Sequence, residues 1–241
     1  MTDRKMTLKA SRFGLNNNQL KILAMVTMLI DHIGEMLFPN LFILRVIGRI
    51  SFPIFAYMIA EGCRYTKNRV RYLSMIAGLG IACQLVYIFF LRSLYFGILI
   101  TFSLSILSIY CIDLFLKKRC AWTRICMALI LLAIVFVAGV MPVLFAEQGF
   151  RVDYGICGVL LPVLVYYARS KHERLACTAA VLIIQALFFN AGQWYALIAL
   201  PFLFLYNGER GRAKLKYMFY VFYPSHLVAI YLVSLWMTSR G

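Results

Sequence analysis

The chain has 241 residues, of which 63% are hydrophobic, 15% aromatic and 14% charged, with a formal net charge of +16. A soluble domain is about 45–50% apolar and could not bury such an excess, so a soluble globular enzyme is excluded. The basic surplus would point a soluble protein toward nucleic acid, but here the cations sit at the ends of apolar runs, where they orient a membrane protein; no nucleic-acid partner is expected.

In chain order, residues 1–19 read as a cytoplasmic basic segment carrying Arg4, Lys5, Lys9 and Arg12. It is too polar, and too long before the first apolar run, for a cleavable signal peptide, so the first helix is retained. Residues 20–241 read as a single transmembrane domain, with spans expected at 20–38, 41–62, 70–91, 96–116, 125–145, 154–168, 175–190, 193–206 and 217–237. Most are long enough to cross a hydrocarbon core of about 30 Å. The fold class expected is an all-α polytopic integral membrane bundle of about nine transmembrane helices, eight to ten because the sixth and eighth spans are short. Twenty of the 25 Lys and Arg residues fall on the N-terminal side of the membrane, three (Arg92, Arg151 and Arg240) on the other, and Arg45 and Arg49 within the second span. The positive-inside rule then gives N-in, C-out. Neither linkers nor low-complexity tracts nor an internal repeat is evident. The seven cysteines have no paired spacing, so neither a disulfide framework nor a metal site is expected.

Ionisable groups at membrane depth are costly and are default candidates for function. Asp31 and His32 lie ten to twelve residues into the first span, Arg49 lies at similar depth as the second returns, and His226 is ten residues beyond Lys216. Glu35 follows Asp31 by four residues and Arg45 precedes Arg49 by four, so an acidic face of one helix can meet a basic face of the next. An Asp31–Arg49 ion pair is then either architectural or a device that tunes His32, since an imidazole with an ordinary pKa of about 6.5 suits proton transfer. His226 sits in YVFYPSHL, near Tyr223 and after Pro224, and is either a packing residue or a second base. At the inner end of the second span, Arg64, Tyr65, Thr66, Lys67, Arg69 and Arg71 form either a topogenic loop or a grip for the phosphates of a cytosolic donor. Glu61, Gln84, Thr101, Asp153 and Tyr154, with Glu35 and Tyr223, are candidates to line an acceptor site, although Asp153 also reads as a helix N-cap. No P-loop, dinucleotide fingerprint or metalloprotease motif competes.

The segments LKILAMVTMLIDHIG (Leu20 to Gly34), GRISFPIFAYMIAEGCRYTKNRVRYL (Gly48 to Leu73), DYGICGVL (Asp153 to Leu160) and YVFYPSHL (Tyr220 to Leu227) resemble the TraX family, named for the conjugation protein required for N-terminal acetylation of F-type pilin. The resemblance covers most of the chain, with the elements in order on successive helices. Asp31 and His32 match the family's DH pair, Arg49 and Pro53 its GR-x-x-FP, Glu61 and Gly62 its EG, Tyr65, Thr66 and Arg69 the turn that follows, Asp153, Tyr154 and Gly155 its DYG, and Pro224 and His226 its YP-x-H. GILITFSL (Gly97 to Leu104) keeps Thr101 but lacks an asparagine common there in the family, so pilin need not be the acceptor.

The resemblance, which extends in outline to the wider transmembrane acyltransferases, implies an acetyltransferase in a bacterial inner membrane. It would draw acetyl-CoA from the cytoplasm and modify an amine or hydroxyl of a protein, peptide or glycan acceptor. His32 would be the base or an acyl relay, Asp31 would orient it, Arg49 would stabilise the oxyanion, and His226 is the second candidate base. From the residues alone a buried proton-handling site follows, and a proton-coupled transporter or a non-catalytic assembly factor remains open.

Overall fold

A computed structural model describes residues 14–91, 95–211 and 216–239. The cations Arg4, Lys5, Lys9, Arg12, Arg92, Arg212, Lys214 and Arg240, on which part of the orientation argument rests, lie outside the described residues. Among the described residues the chain forms nine helical segments, which we number α1 (Asn17–Met36), α2 (Phe42–Tyr65), α3 (Arg69–Leu91), α4 (Ile98–Lys117), α5 (Ala121–Leu144), α6 (Gly155–Tyr167), α7 (Lys171–Phe188), α8 (Ala191–Phe204) and α9 (Lys216–Thr238). Each falls within a few residues of an expected apolar run. By length and composition α2, α4 and α5 are each able to cross a membrane. Together with the composition, these helices make the chain a nearly all-α membrane protein. All seven cysteines are free thiols.

The chain divides into two compact units, one from Met1–Phe55 with Asn190–Gly241, the other from Ala56–Phe189. The division falls inside α2.

In the first unit, α1 begins in a capping box: the Asn16 side chain accepts from the Gln19 N–H at 3.0 Å, and the Gln19 side chain accepts from the Asn16 N–H at 2.9 Å. Leu15 pairs in parallel with Tyr206, which ties the start of α1 to the end of α8. The first half of α2 packs along α1 through two glycines, because a Cβ on Gly34 would reach 2.7 Å from Leu44 and one on Gly48 would overlap the Asp31 side chain. α2 then breaks at a turn over Arg49 and Ile50. Pro53 explains the break: it has no N–H to give the Arg49 carbonyl four residues earlier. The Ser51 hydroxyl donates instead to the Gly48 carbonyl at 2.8 Å. α9 also packs on α1.

In the second unit α6 lies between α4 and α7 and is buried at Cys157, Gly158, Val159, Leu161, Pro162, Val163 and Val165. With 13 residues it is about 20 Å long, too short to cross a bilayer upright. Its loose carbonyls are met by side chains of its neighbours. Thr101 Oγ1 donates to the Asp153 carbonyl at 2.9 Å, and Ser105 Oγ to the Gly158 carbonyl at 3.4 Å. The Gly158 carbonyl is the one that Pro162 leaves without a helical donor. At the other end Arg64 Nη2 donates to the Val165 and Tyr166 carbonyls at 3.3 and 2.6 Å. Tyr95 and Phe96 pair in parallel with Arg151 and Val152 just before the DYG turn. α5 carries a π-turn at Phe136–Val140 immediately ahead of Pro142.

Candidate functional site

Two clusters of polar side chains stand out, one in each unit. In the first unit α1 presents Asp31, His32 and Glu35, α2 presents Arg45, and α9 presents His226. Arg45 Nη1 bridges the two acids, 3.0 Å from Asp31 Oδ2 and 3.0 Å from Glu35 Oε2, and also donates to the Asp31 carbonyl at 3.2 Å. Arg45 thus forms a salt bridge with Asp31. Arg49 stands at the break in α2, and its charge also reaches Asp31. The second carboxylate oxygen of Asp31 is buried and accepts no hydrogen bond among the described residues.

The two histidines meet directly, His226 Nε2 lying 3.3 Å from His32 Nδ1 with ring centroids 5.1 Å apart. Their backbone contacts fix the protons. His226 Nδ1 is 2.7 Å from the Phe222 carbonyl and His32 Nδ1 is 2.9 Å from the Met28 carbonyl. A carbonyl only accepts, so both Nδ1 atoms carry hydrogen. His226 Nε2 is then a lone-pair acceptor, and His32 Nδ1–H is shared between it and the Met28 carbonyl. One ring nitrogen stays open: His32 Nε2 holds a lone pair and makes no hydrogen bond among the described residues. His226, buried beneath the stacked Phe222 ring and the edge of Tyr223, has both nitrogens engaged.

In the second unit the cluster gathers the ends of five helices. Glu61 of α2 is buried, and its Oε1 accepts from Arg64 at 3.0 Å and from Arg174 of α7 at 3.1 Å. Asp113 of α4 accepts from Arg69 at 2.6 Å, from the Tyr166 hydroxyl at 3.1 Å and from the Tyr167 hydroxyl at 3.0 Å. The Arg69 guanidinium also lies over the Tyr110 ring, 4.9 Å from its centroid. The expected donor-binding group thus separates: Arg64 and Arg69 turn into the protein, whereas Tyr65, Lys67 and Arg71 are exposed and Thr66 donates to the Asn68 carbonyl. At the start of α7 the Ser170 hydroxyl accepts from the Glu173 N–H. The Arg169 N–H, 2.8 Å from the Glu173 carboxylate, holds that carboxyl below its ordinary range.

The turn at the start of α6 in the same unit is built on Tyr154, in the left-handed region at φ 57°, followed by Gly155 at φ 52°. Thr101 and Gln185 secure it, the latter donating to the Tyr154 carbonyl at 3.5 Å. Gln84 is buried on α3 and makes no hydrogen bond among the described residues. Asp113, Tyr110, Tyr166, Tyr167 and Arg174 are members of the carboxylate cluster that the sequence reading does not single out. An aspartate inside the apolar run SIYCIDLFL was the one signal that could have found them.

A helical membrane protein with paired histidines on its first and last helices is the class that the fold and this geometry define. The family model described as TraX protein matches residues 16–234, and the chain belongs to that family. It is 25% identical to the probable fimbrial assembly protein FimC of Dichelobacter nodosus, across 88% of this chain and 93% of that one. A shorter stretch of 52 residues is 46% identical to an uncharacterized protein of Rickettsia prowazekii (strain Madrid E), covering 22% of this chain and 21% of the other. No solved structure matches.

Proposed function

We propose that the protein is a nine-span, N-in bacterial inner-membrane acyltransferase. It would move an acetyl group from cytoplasmic acetyl-CoA to an amine or hydroxyl of a protein, peptide or glycan acceptor in the setting of pilus or fimbria assembly. The observation that carries this reading is the histidine pair, in which the contacts of His226 and Met28 hold the His32 proton on Nδ1 and leave Nε2 to accept one. His32 Nε2 takes the proton of the acceptor amine or hydroxyl as that atom attacks the acyl carbonyl, and returns it to the departing thiolate. When His32 is cationic, His226 Nε2 still accepts from its Nδ1–H, so the pair supports both protonation states. His226 is in this reading a positioning residue. Arg49, with its charge near Asp31, stabilises the tetrahedral oxyanion.

The donor supplies an activated thioester. Of the cations between residues 64 and 71, Lys67 and Arg71 are the ones exposed to meet its phosphates, while Arg64 and Arg69 are held in salt bridges. Glu35 and Tyr223, in the same unit as the histidines, remain the proposed acceptor-side residues.

The test is consumption of acetyl-CoA by the purified protein in a bilayer, with mass spectrometry of the acceptor. General-base catalysis contributes about 10²–10⁴-fold, so His32→Ala should lower turnover by that order while the protein still inserts and purifies as one species. Unchanged turnover in His32→Ala would remove the role given to this residue. The name of the Dichelobacter relative favours a second reading, a non-catalytic assembly factor, under which the wild-type protein consumes no donor at all.

A further inference from the structure

The cations at the junction of α4 and α5 differ from those of the carboxylate cluster. Arg64, Arg69 and Arg174 are each neutralised by Glu61 or Asp113. Lys117, Lys118 and Arg119 are all exposed, and none forms a salt bridge among the described residues. Arg124, a fourth cation, is drawn back onto the protein, its Nε donating to the Lys118 carbonyl at 3.0 Å and its guanidinium 5.7 Å from the centre of the Phe115 ring. That contact fixes the loop that carries the three free cations.

What adjoins these charges is an exposed apolar helix surface. Of the three helices long and apolar enough to cross a membrane, α5 is the least covered by protein, with 11% of its most apolar stretch buried, and Leu129, Leu132, Val143 and Leu144 are exposed. Trp122, in its first turn, is 72% exposed, and an indole at a helix end next to lipid belongs at headgroup level. Uncompensated cations, an interfacial tryptophan and a lipid-facing helix in one line complement a molecule with an anionic head and two acyl chains.

We propose that Lys117, Lys118, Arg119 and Trp122 form a binding site for an anionic phospholipid, whose phosphate is held by the three cations and whose chains lie along α5. The proposal rests on α5 crossing the membrane and is independent of acyl transfer.

A protein whose one tryptophan is Trp122, made with Trp194→Phe and Trp236→Phe, reports on this site. In vesicles of phosphatidylcholine containing an equal fraction of either brominated phosphatidylglycerol or brominated phosphatidylcholine, the phosphatidylglycerol should quench Trp122 more strongly. Each cation near an anionic surface is worth about fivefold in affinity, so Lys117→Gln, Lys118→Gln and Arg119→Gln together should weaken the preference about 100-fold and equalise the two lipids. Because these charges also influence topology, raised salt on the unsubstituted protein is the second arm, and it should erode the preference in the same direction. Arg151→Gln, Arg169→Gln and Arg210→Gln together remove the same charge elsewhere and should leave the preference intact. Equal quenching in the parent, an unaltered preference in the loop variant, loss of preference in the control variant, or displacement of the lipid by inorganic phosphate would each overturn the proposal.

Discussion

The histidine pair of the first unit and the carboxylate cluster of the second are both largely buried polar networks, but they differ in how far their acceptor atoms are filled. Asp113 receives three side-chain donors, and Glu61 receives two guanidinium groups at one oxygen. The histidines form a chain with one end occupied by the Phe222 carbonyl and the other end, His32 Nε2, open. A network whose carboxylate acceptors are filled fixes helix ends, even though Arg174 Nε and the Tyr110 hydroxyl find no hydrogen-bond partner among the described residues, whereas one that stops at a lone pair has somewhere to put a proton. Family resemblance marks residues in both, so sequence motifs alone do not separate the two roles.

Removing Glu61 should give the largest effect and the sharpest contrast. Glu61→Ala leaves Arg64 and Arg174 facing each other without their shared carboxylate. Breaking a buried pair in this way costs about 3–5 kcal/mol, so the expected outcome is loss of monodisperse protein on extraction, and thermal unfolding checks it. His32→Ala should instead spare the fold and abolish transfer. If Glu61→Ala protein were as stable as wild type, the carboxylate cluster would not be the structural counterpart claimed.

His226 offers a graded test on the other side. His226→Ala removes the acceptor that helps keep the His32 proton on Nδ1, and should lower kcat with little change in donor KM. His226→Gln places a carbonyl oxygen near the position of Nε2 and should recover part of the loss. Equal activity of the two variants would mean that orientation of His32 does not depend on that hydrogen bond.

Much of this arrangement is legible in the sequence, for reasons that also mark where legibility ends. Apolar runs bounded by cations locate the helices within a few residues because each run is a local property. Asp31, His32 and His226 are conspicuous because ionisable groups inside such runs are rare. The shape of α2 is harder to read, since treating it as one straight helix ignores the carbonyl that Pro53 leaves free at Arg49; the break at Arg49 and Ile50 follows, and Arg45, one turn earlier, bridges Asp31 and Glu35. The union of Asp113 with Arg69, Tyr166 and Tyr167 spans 44 to 54 residues of chain and depends on how α4 and α6 pack, which no local pattern encodes.

Smaller effects are expected at the exposed cations. Lys67→Gln and Arg71→Gln keep length while removing charge, and neither disturbs a salt bridge among the described residues. Each should raise the KM for acetyl-CoA severalfold at unchanged kcat. Unchanged donor saturation in both would return this loop to a topogenic role.

The smallest effect concerns α6, where a side chain replaces a missing backbone donor. Ser105 Oγ, shared with the Thr101 carbonyl at 3.0 Å, reaches the Gly158 carbonyl that Pro162 cannot serve. Its removal in Ser105→Ala leaves that carbonyl unsatisfied in an apolar surrounding and should cost about 1 kcal/mol, since the bond is long and already shared. Pro162→Ala restores an N–H four residues after Gly158, so the helix can satisfy the carbonyl without help, although a repacked proline site carries its own cost. The informative quantity is therefore the coupling. In the Ser105→Ala/Pro162→Ala double variant the hydroxyl is no longer needed, and its loss should be nearly neutral against the Pro162→Ala background. A strictly additive cycle, measured by thermal unfolding in one detergent, would show that Ser105 serves only its own helix and that the Gly158 carbonyl is satisfied by some other group.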